Sequence, residues 1–230
     1  MTARADILAR VRSALHTTQP PTPPPPPASH TGPLAAPGVP ELPSFVSDPV
    51  STGATSGREA EVELFAERVA DYRAVVVRCS ESDAADAVRE GLGACGTVLV
   101  PHGYPDHLLG LPPGGRRVTD DGLDSHALDA VDAVVTLATV GIAETGTLVL
   151  DHGAGQGRRA LSLVPDLHVC VIRADQVVAD VTAAVALLER LGAAIRPLTW
   201  ISGPSATSDI ELDRVEGVHG PRTLRVVIVE

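Results

Sequence analysis

No lysine occurs anywhere in the 230 residues, so all 18 basic side chains other than histidine are arginines. Schiff-base chemistry on a lysine and the lysine-bearing phosphate loop are both excluded. Aromatic residues are nearly as scarce, with one Trp, two Tyr and two Phe, and the formal charge is −11. The chain therefore offers neither a base-stacking platform nor a footprint for a phosphate backbone, and nucleic acid is not an expected partner. Cys79, Cys95 and Cys170 are the only cysteines, far apart and without a CxxC pair. Such spacing supports neither a disulfide framework nor a zinc or iron–sulfur site held by this chain, so no bound metal or redox cofactor is expected. No apolar run approaches the ~18 residues of a membrane span, and the N-terminus lacks the apolar region of a secretory signal. The expectation is a cytoplasmic protein.

What is present falls into three parts. Residues 1–16 place Ile7, Leu8, Val11 and Leu15 on one stripe of an amphipathic helix, which either packs on its own domain or docks on a partner. Residues 17–49 hold 11 of the 20 prolines up to Pro43 and read as an extended linker. From residue 50 to 230 short apolar segments alternate with helical ones, as in "AVVVRC", "SDAADAVREGLGA" and "TVLVP". Strands apolar on both faces predict an α/β domain with a mostly parallel sheet covered by helices. The pattern predicts a helix over 175–191 that starts at Asp175, carries Val177, Val181, Val185 and Leu188 on one stripe, and stops before Gly192.

Ligands of such sheets gather at the carboxyl ends of the strands. The turn Gly153-Ala154-Gly155-Gln156-Gly157 follows the strand "TLVLD", ending at Asp151. Its glycines supply backbone N–H groups suited to an anion, and Arg158 or Arg159 adds a cationic fork. Arg158 stands where a dinucleotide loop needs a third glycine, which argues against that motif. A tight turn with solvated arginines is the plainer alternative. Glu144, followed by Thr145 and Gly146, sits among apolar residues, where burial would raise its pKa and suit it to acid, base or nucleophilic work. It also suits a structural role, bonding a neighbouring loop.

His168 at a strand start and His219 in "GVHGP" are candidates for the same cleft, though lone histidines usually serve as hydrogen-bonding residues. In "SGPSATSDIE", Ser202, Gly203 and Ser205 are candidate pocket residues. There Ser208 and Glu211 form a capping-box pattern, so a short helix is predicted from Asp209, its N-terminus able to hold an anion. His102 and His107 lack zinc-motif spacing, and no metal site is assigned.

Three blocks in this order, "AETGTLVLDHGAGQGRRALSLVPDLHVCVI", "ISGPSATSDIE" and "GVHGPRTLRVVIV", together with the opening "ADILARVRSAL", resemble the LUD-domain family. The resemblance implies a fold like that of sugar-phosphate isomerases and family I CoA transferases. It also implies a role in oxidising L-lactate to pyruvate beside two iron–sulfur proteins, which would carry the clusters this chain lacks. The chain would then be a subunit binding a small carboxylate or phosphate in a cleft built from Glu144, the 151–158 turn, His168, the 202–209 loop and His219. CoA transferases use a glutamate beside a glycine as nucleophile, so the competing expectation is a free-standing acyl-CoA transferase or isomerase that uses Glu144 directly. A third is a scaffold whose polar turns bind the iron–sulfur partners.

Overall fold

The computed structural model describes residues 55–208, 214–216 and 220–230. The N-terminal helix, the proline-rich linker, Asp209 and His219 lie outside the described residues. Six strands form one sheet: β1 (Val75–Cys79), β2 (Thr97–Leu99), β3 (Arg116–Val118), β4 (Ala133–Leu137), β7 (Leu167–Arg173) and β12 (Thr223–Val229). Their spatial order is β1-β12-β7-β4-β2-β3, and every pairing is parallel. The inner strands β7 and β12 are buried through most of their length, which explains why they read as continuous apolar runs rather than alternating ones.

A second sheet of four strands, in the order β8-β5-β6-β9, comprises β5 (Val140–Ile142), β6 (Thr147–Leu150), β8 (Val177–Val178) and β9 (Thr199–Ile201). It is mixed, with β5 and β6 antiparallel, β6 and β9 antiparallel, and β5 and β8 parallel. The predicted mostly parallel sheet is thus the larger of two layers. A short antiparallel pair, β10 (Ala206–Ser208) with β11 (Arg214–Glu216), stands apart. Ser208 belongs to a strand paired with Arg214, and the short helix predicted from Asp209 falls outside the described residues.

Helix α1 (Thr55–Asp71) buries Val62, Phe65 and Val69, spaced three and four residues apart so that they share one face. That face meets Cys170, Ile172, Val226 and Ile228 of the large sheet and Leu148 and Leu150 of the small one in a single core. The opposite face of the large sheet is covered by α2 (Ala84–Leu92), whose Ala84, Ala87, Val88 and Leu92 pack on Val135, Val169, Val171 and Val227. A one-turn helix, α3 (Ser125–Asp129), contributes Leu128 to a smaller cluster with Leu99, Val134 and Leu161. On the outer side of the small sheet, α4 (Val181–Arg190) buries Ala184 and Leu188 against Val140, Ile142 and Val149.

The helix α4 is shorter than its sequence pattern predicts. Val177 pairs with β5 as a strand, and Asp180, not Asp175, caps the helix by accepting a hydrogen bond from the Ala183 amide at 2.8 Å. Gly192 does occupy the left-handed conformation expected after the last turn, with φ of +64°.

Candidate functional site

The glycine turn lies where its position after β6 suggests, against the carboxyl ends of β2 and β4, but it is closed on itself. Gly155 donates its amide to the His102 carbonyl at 2.8 Å and accepts from the Leu137 amide at 2.9 Å. The amides of Gln156 and Gly157 both donate to the Gly153 carbonyl, and that of Gly153 donates to the Asp151 carboxylate at 3.1 Å. No donor among these is left over for an anion. Gln156 is buried, its Oε1 accepting from the amides of Asp151 and His152 and its Nε2 donating to Thr139 Oγ1 at 2.7 Å. Asp151, buried as well, accepts from Thr139 and forms an ion pair with Arg196 at 2.8 Å. The turn is a self-satisfied brace between the two sheets, because buried polar groups lower their free energy by pairing internally.

Arg158 is also committed. Its Nε and Nη2 grip the two carboxylate oxygens of Asp120, and Nη2 reaches the Leu123 carbonyl. The guanidinium holds the Asp120 carboxyl below the usual carboxylate range. Opposite charge and two hydrogen bonds favour the ionised form. The predicted anion fork thus holds an internal carboxylate.

Glu144 is exposed in the four-residue turn between β5 and β6, so the burial expected of it is missing. Its amide donates to the Ala179 carbonyl at 3.0 Å. Gly146 is buried in the same turn with φ of +58°, and a Cβ there would stand 2.6 Å from the Arg68 carbonyl carbon of α1. The Glu144-Thr145-Gly146 sequence is thus accounted for by a hairpin turn pressed against a helix. Thr145 Oγ1 bonds Thr147 Oγ1 at 2.7 Å, and Thr147 Oγ1 bonds Ser202 Oγ at 2.8 Å, a short hydroxyl relay.

A cavity of about 300 Å³ opens at the other end of the large sheet. Its walls come from four separated stretches of chain. The turn after Arg158 gives Arg159, Ser162 and Leu163; β9 and the loop behind it give Thr199 to Ser205; the amino ends of β7 and β12 give His168 and Leu224. His168, Ser202, Gly203 and Ser205 therefore lie around one cavity, whereas Glu144, Thr145, Gly146 and the residues from Asp151 to Arg158 do not line it. The cleft lies at the amino ends of β7 and β12, where β9 with the loop behind it and the 159–163 turn supply the facing walls. Arg159, the other arginine expected as a fork, is exposed and makes no ion pair among the described residues.

His168 is 1% exposed and its Nε2 lies 2.7 Å from Thr136 Oγ1, which in turn lies 3.6 Å from Cys170 Sγ. Burial lowers the imidazole pKa to about 4 and pushes the Cys170 thiol up to about 12, so the histidine is neutral and the cysteine protonated near pH 7. Among the described residues no group of three or more His, Cys, Asp or Glu side chains converges as a metal site. Nor is any helix there long and apolar enough to cross a membrane.

An all-parallel sheet with a mixed sheet braced on it by a glycine turn defines an α/β protein of a specific kind. Residues 116–229, from β3 to the end of β12, match the LUD domain model. The chain belongs to the LUD-domain family. A Deinococcus radiodurans protein named Lactate utilization protein C is 47% identical over 185 residues, which cover 79% of this chain and 85% of that protein. A Halalkalibacterium halodurans protein of the same name is 38% identical over 109 residues, covering 44% of this chain and 46% of that one. Among solved structures, a DUF162 family protein from Deinococcus radiodurans is similar at 39% identity and a TM-score of 0.65, across 79% of this chain and all of the other.

Proposed function

We propose that this chain serves in lactate utilisation, as a subunit that binds a small anion and works beside iron–sulfur proteins in oxidising L-lactate to pyruvate. The observation that carries this reading is the 47% identity to Lactate utilization protein C along most of both chains. Oxidation of lactate to pyruvate releases an electron pair and two protons. This chain's cysteines are the free residues Cys79, Cys95 and Cys170, of which Cys170 is a buried, protonated thiol. Clusters in the partners would accept the electrons, and this chain would contribute binding and assembly. The exposed position of Glu144 gives no support to the competing transferase, whose nucleophile needs a desolvated or activated setting.

The test is genetic. Deleting the coding sequence from its host should abolish growth on L-lactate as sole carbon source while growth on pyruvate persists, and a plasmid copy should restore it. Normal growth of the deletion strain on L-lactate would end this reading.

A further inference from the structure

Among the described residues the two main sheets present four outer edges, and three of them are guarded. An unpaired edge strand invites pairing with another chain, and proteins blunt such edges with charge or cover them. On β1, Arg78 binds Glu59, Glu63 and Glu230, which places four charged side chains along that strand. On β3, Arg116 and Arg117 stand exposed. In the small sheet, β8 lies against α1. The fourth edge is β9, whose sequence Thr199-Trp200-Ile201 carries no charge and whose Trp200 is 42% exposed.

The backbone of β9 is oriented to take a further strand. The Thr139 amide donates to the Val149 carbonyl at 2.8 Å, so Val149 turns its peptide groups towards β5. In an antiparallel ladder the direction alternates, and Leu148 and Leu150 therefore turn theirs towards Ile201 and Thr199 of β9. Trp200, opposite Val149, points its own N–H and C=O away from β6. Among the described residues neither group meets a partner outside the sheet.

The surface around this edge is apolar as well. Trp200 shares a face of the small sheet with Val149, the face on which α4 packs. Seven large hydrophobic side chains are exposed among the described residues, and five of them, Val181, Val185, Leu191, Ile195 and Trp200, lie on α4 or in the chain from it to β9. Ile195 is 92% exposed. The charges of that stretch cancel, Asp180 and Glu189 against Arg190 and Arg196, whereas the whole chain carries −11. Two copies of so acidic a chain repel each other over most of their surface, and this balanced face is where they approach without that cost. A cationic partner would be drawn to the acidic remainder instead.

We propose that β9 and the α4 face form the interface of a symmetric dimer of this chain, joined by antiparallel pairing of β9 with its counterpart in the second copy. A two-fold axis beside Trp200 lets the outward N–H and C=O of each Trp200 exchange hydrogen bonds with those of the other. The two four-stranded sheets then merge into one of eight strands, and the unguarded edge disappears. Because the same patch serves both copies, assembly stops at two.

Sedimentation equilibrium of the purified full chain tests this, with the emission of Trp200, the only tryptophan, as a local reporter. The chain should associate to twice its mass with a dissociation constant of about 1 μM or tighter, and go no further. Trp200 emission should move to the blue over the same range of concentration. Ile195→Glu, at a side chain that contributes little to the core, should weaken association at least about tenfold with little change in the melting temperature of the monomer. Trp200→Pro spares the bonds between β6 and β9, which do not use the Trp200 amide, but removes the outward donor, so it should weaken association more than Trp200→Ala does. Val75→Ser, at the guarded β1 edge, should leave the constant within about twofold. A chain that stays monomeric, assembly beyond two copies, or association only with a different protein would each overturn the proposal. So would a dimer that survives Ile195→Glu and Trp200→Ala, or one whose formation leaves Trp200 emission unmoved, since such a dimer is held elsewhere.

Discussion

Arg158 and Asp120 are joined by two parallel hydrogen bonds, Nε to Oδ2 at 2.7 Å and Nη2 to Oδ1 at 3.0 Å, across 38 positions of sequence. The pair ties the glycine turn to the loop before α3. Because the guanidinium is nearly half exposed, solvent screens the pair, and about 1 kcal/mol is a reasonable contribution. Asp120 has a lowered pKa in the folded state, so the stabilisation is present above the unfolded value of about 4 and is lost as pH falls through the folded value. Arg158→Gln should therefore melt about 2–4 °C lower at pH 7, with the difference narrowing in melts taken below about pH 4.

Gly146 and Gly192 share a left-handed backbone but not a setting. A Cβ at Gly192 meets nothing within 4 Å, so Gly192→Ala should cost about 1 kcal/mol from backbone strain alone. At Gly146 the added carbon would collide with the α1 backbone, so Gly146→Ala should cost about 3 kcal/mol or more. Urea unfolding of both variants measures the contrast, and equal losses would mean that α1 yields to the extra carbon.

His168 predicts an acid dependence of its own. Its folded pKa of about 4 lies below the unfolded value of about 6.5, so between these limits the unfolded chain binds the extra proton. Stability should be full above about pH 6.5 and fall as pH decreases towards 4. Denaturation midpoints from pH 4.5 to 7.5 should follow this slope, and a His168→Gln variant, though less stable at pH 7, should show a shallower one.

Glu144→Gln keeps volume and removes an exposed charge. The melting temperature should move by less than about 1 °C, as expected for a surface substitution, and the variant should restore lactate growth to the deletion strain. Loss of growth with an unchanged melting temperature would favour a chemical role for Glu144.

The elements that sequence periodicity revealed are those buried on both sides. "HVCVI" and "LRVVIV" could only be interior strands, and α1 and α2 carry clean apolar faces. Less legible were β3, whose Arg116 and Arg117 are exposed at a sheet edge, and β5, only three residues long with Gly141 at its centre. Val177 misled because its spacing from Val181 and Val185 continues the helical stripe, while its backbone pairs with β5. In the candidate site, Ser202, Ser205 and His168 were legible as polar groups beside strands. The commitment of Arg158 to Asp120 was not, since it depends on a loop 38 residues upstream. Which end of the sheet opens was equally hidden, because the cavity walls converge from segments between 159 and 224.

The position of β12 has a consequence during synthesis. It lies between β1 and β7, with Cys79 paired to Val229, so β1 has no neighbour in the large sheet until residues 223–229 have emerged. At ~5–20 residues per second, the ribosome needs roughly 10–30 s to travel from the end of one strand to the end of the other. Throughout that interval the nascent chain presents an orphaned apolar strand, "VVVRC", and once residue 173 is made an open β7 edge as well, surfaces on which chaperones act and through which stalled or truncated products would aggregate.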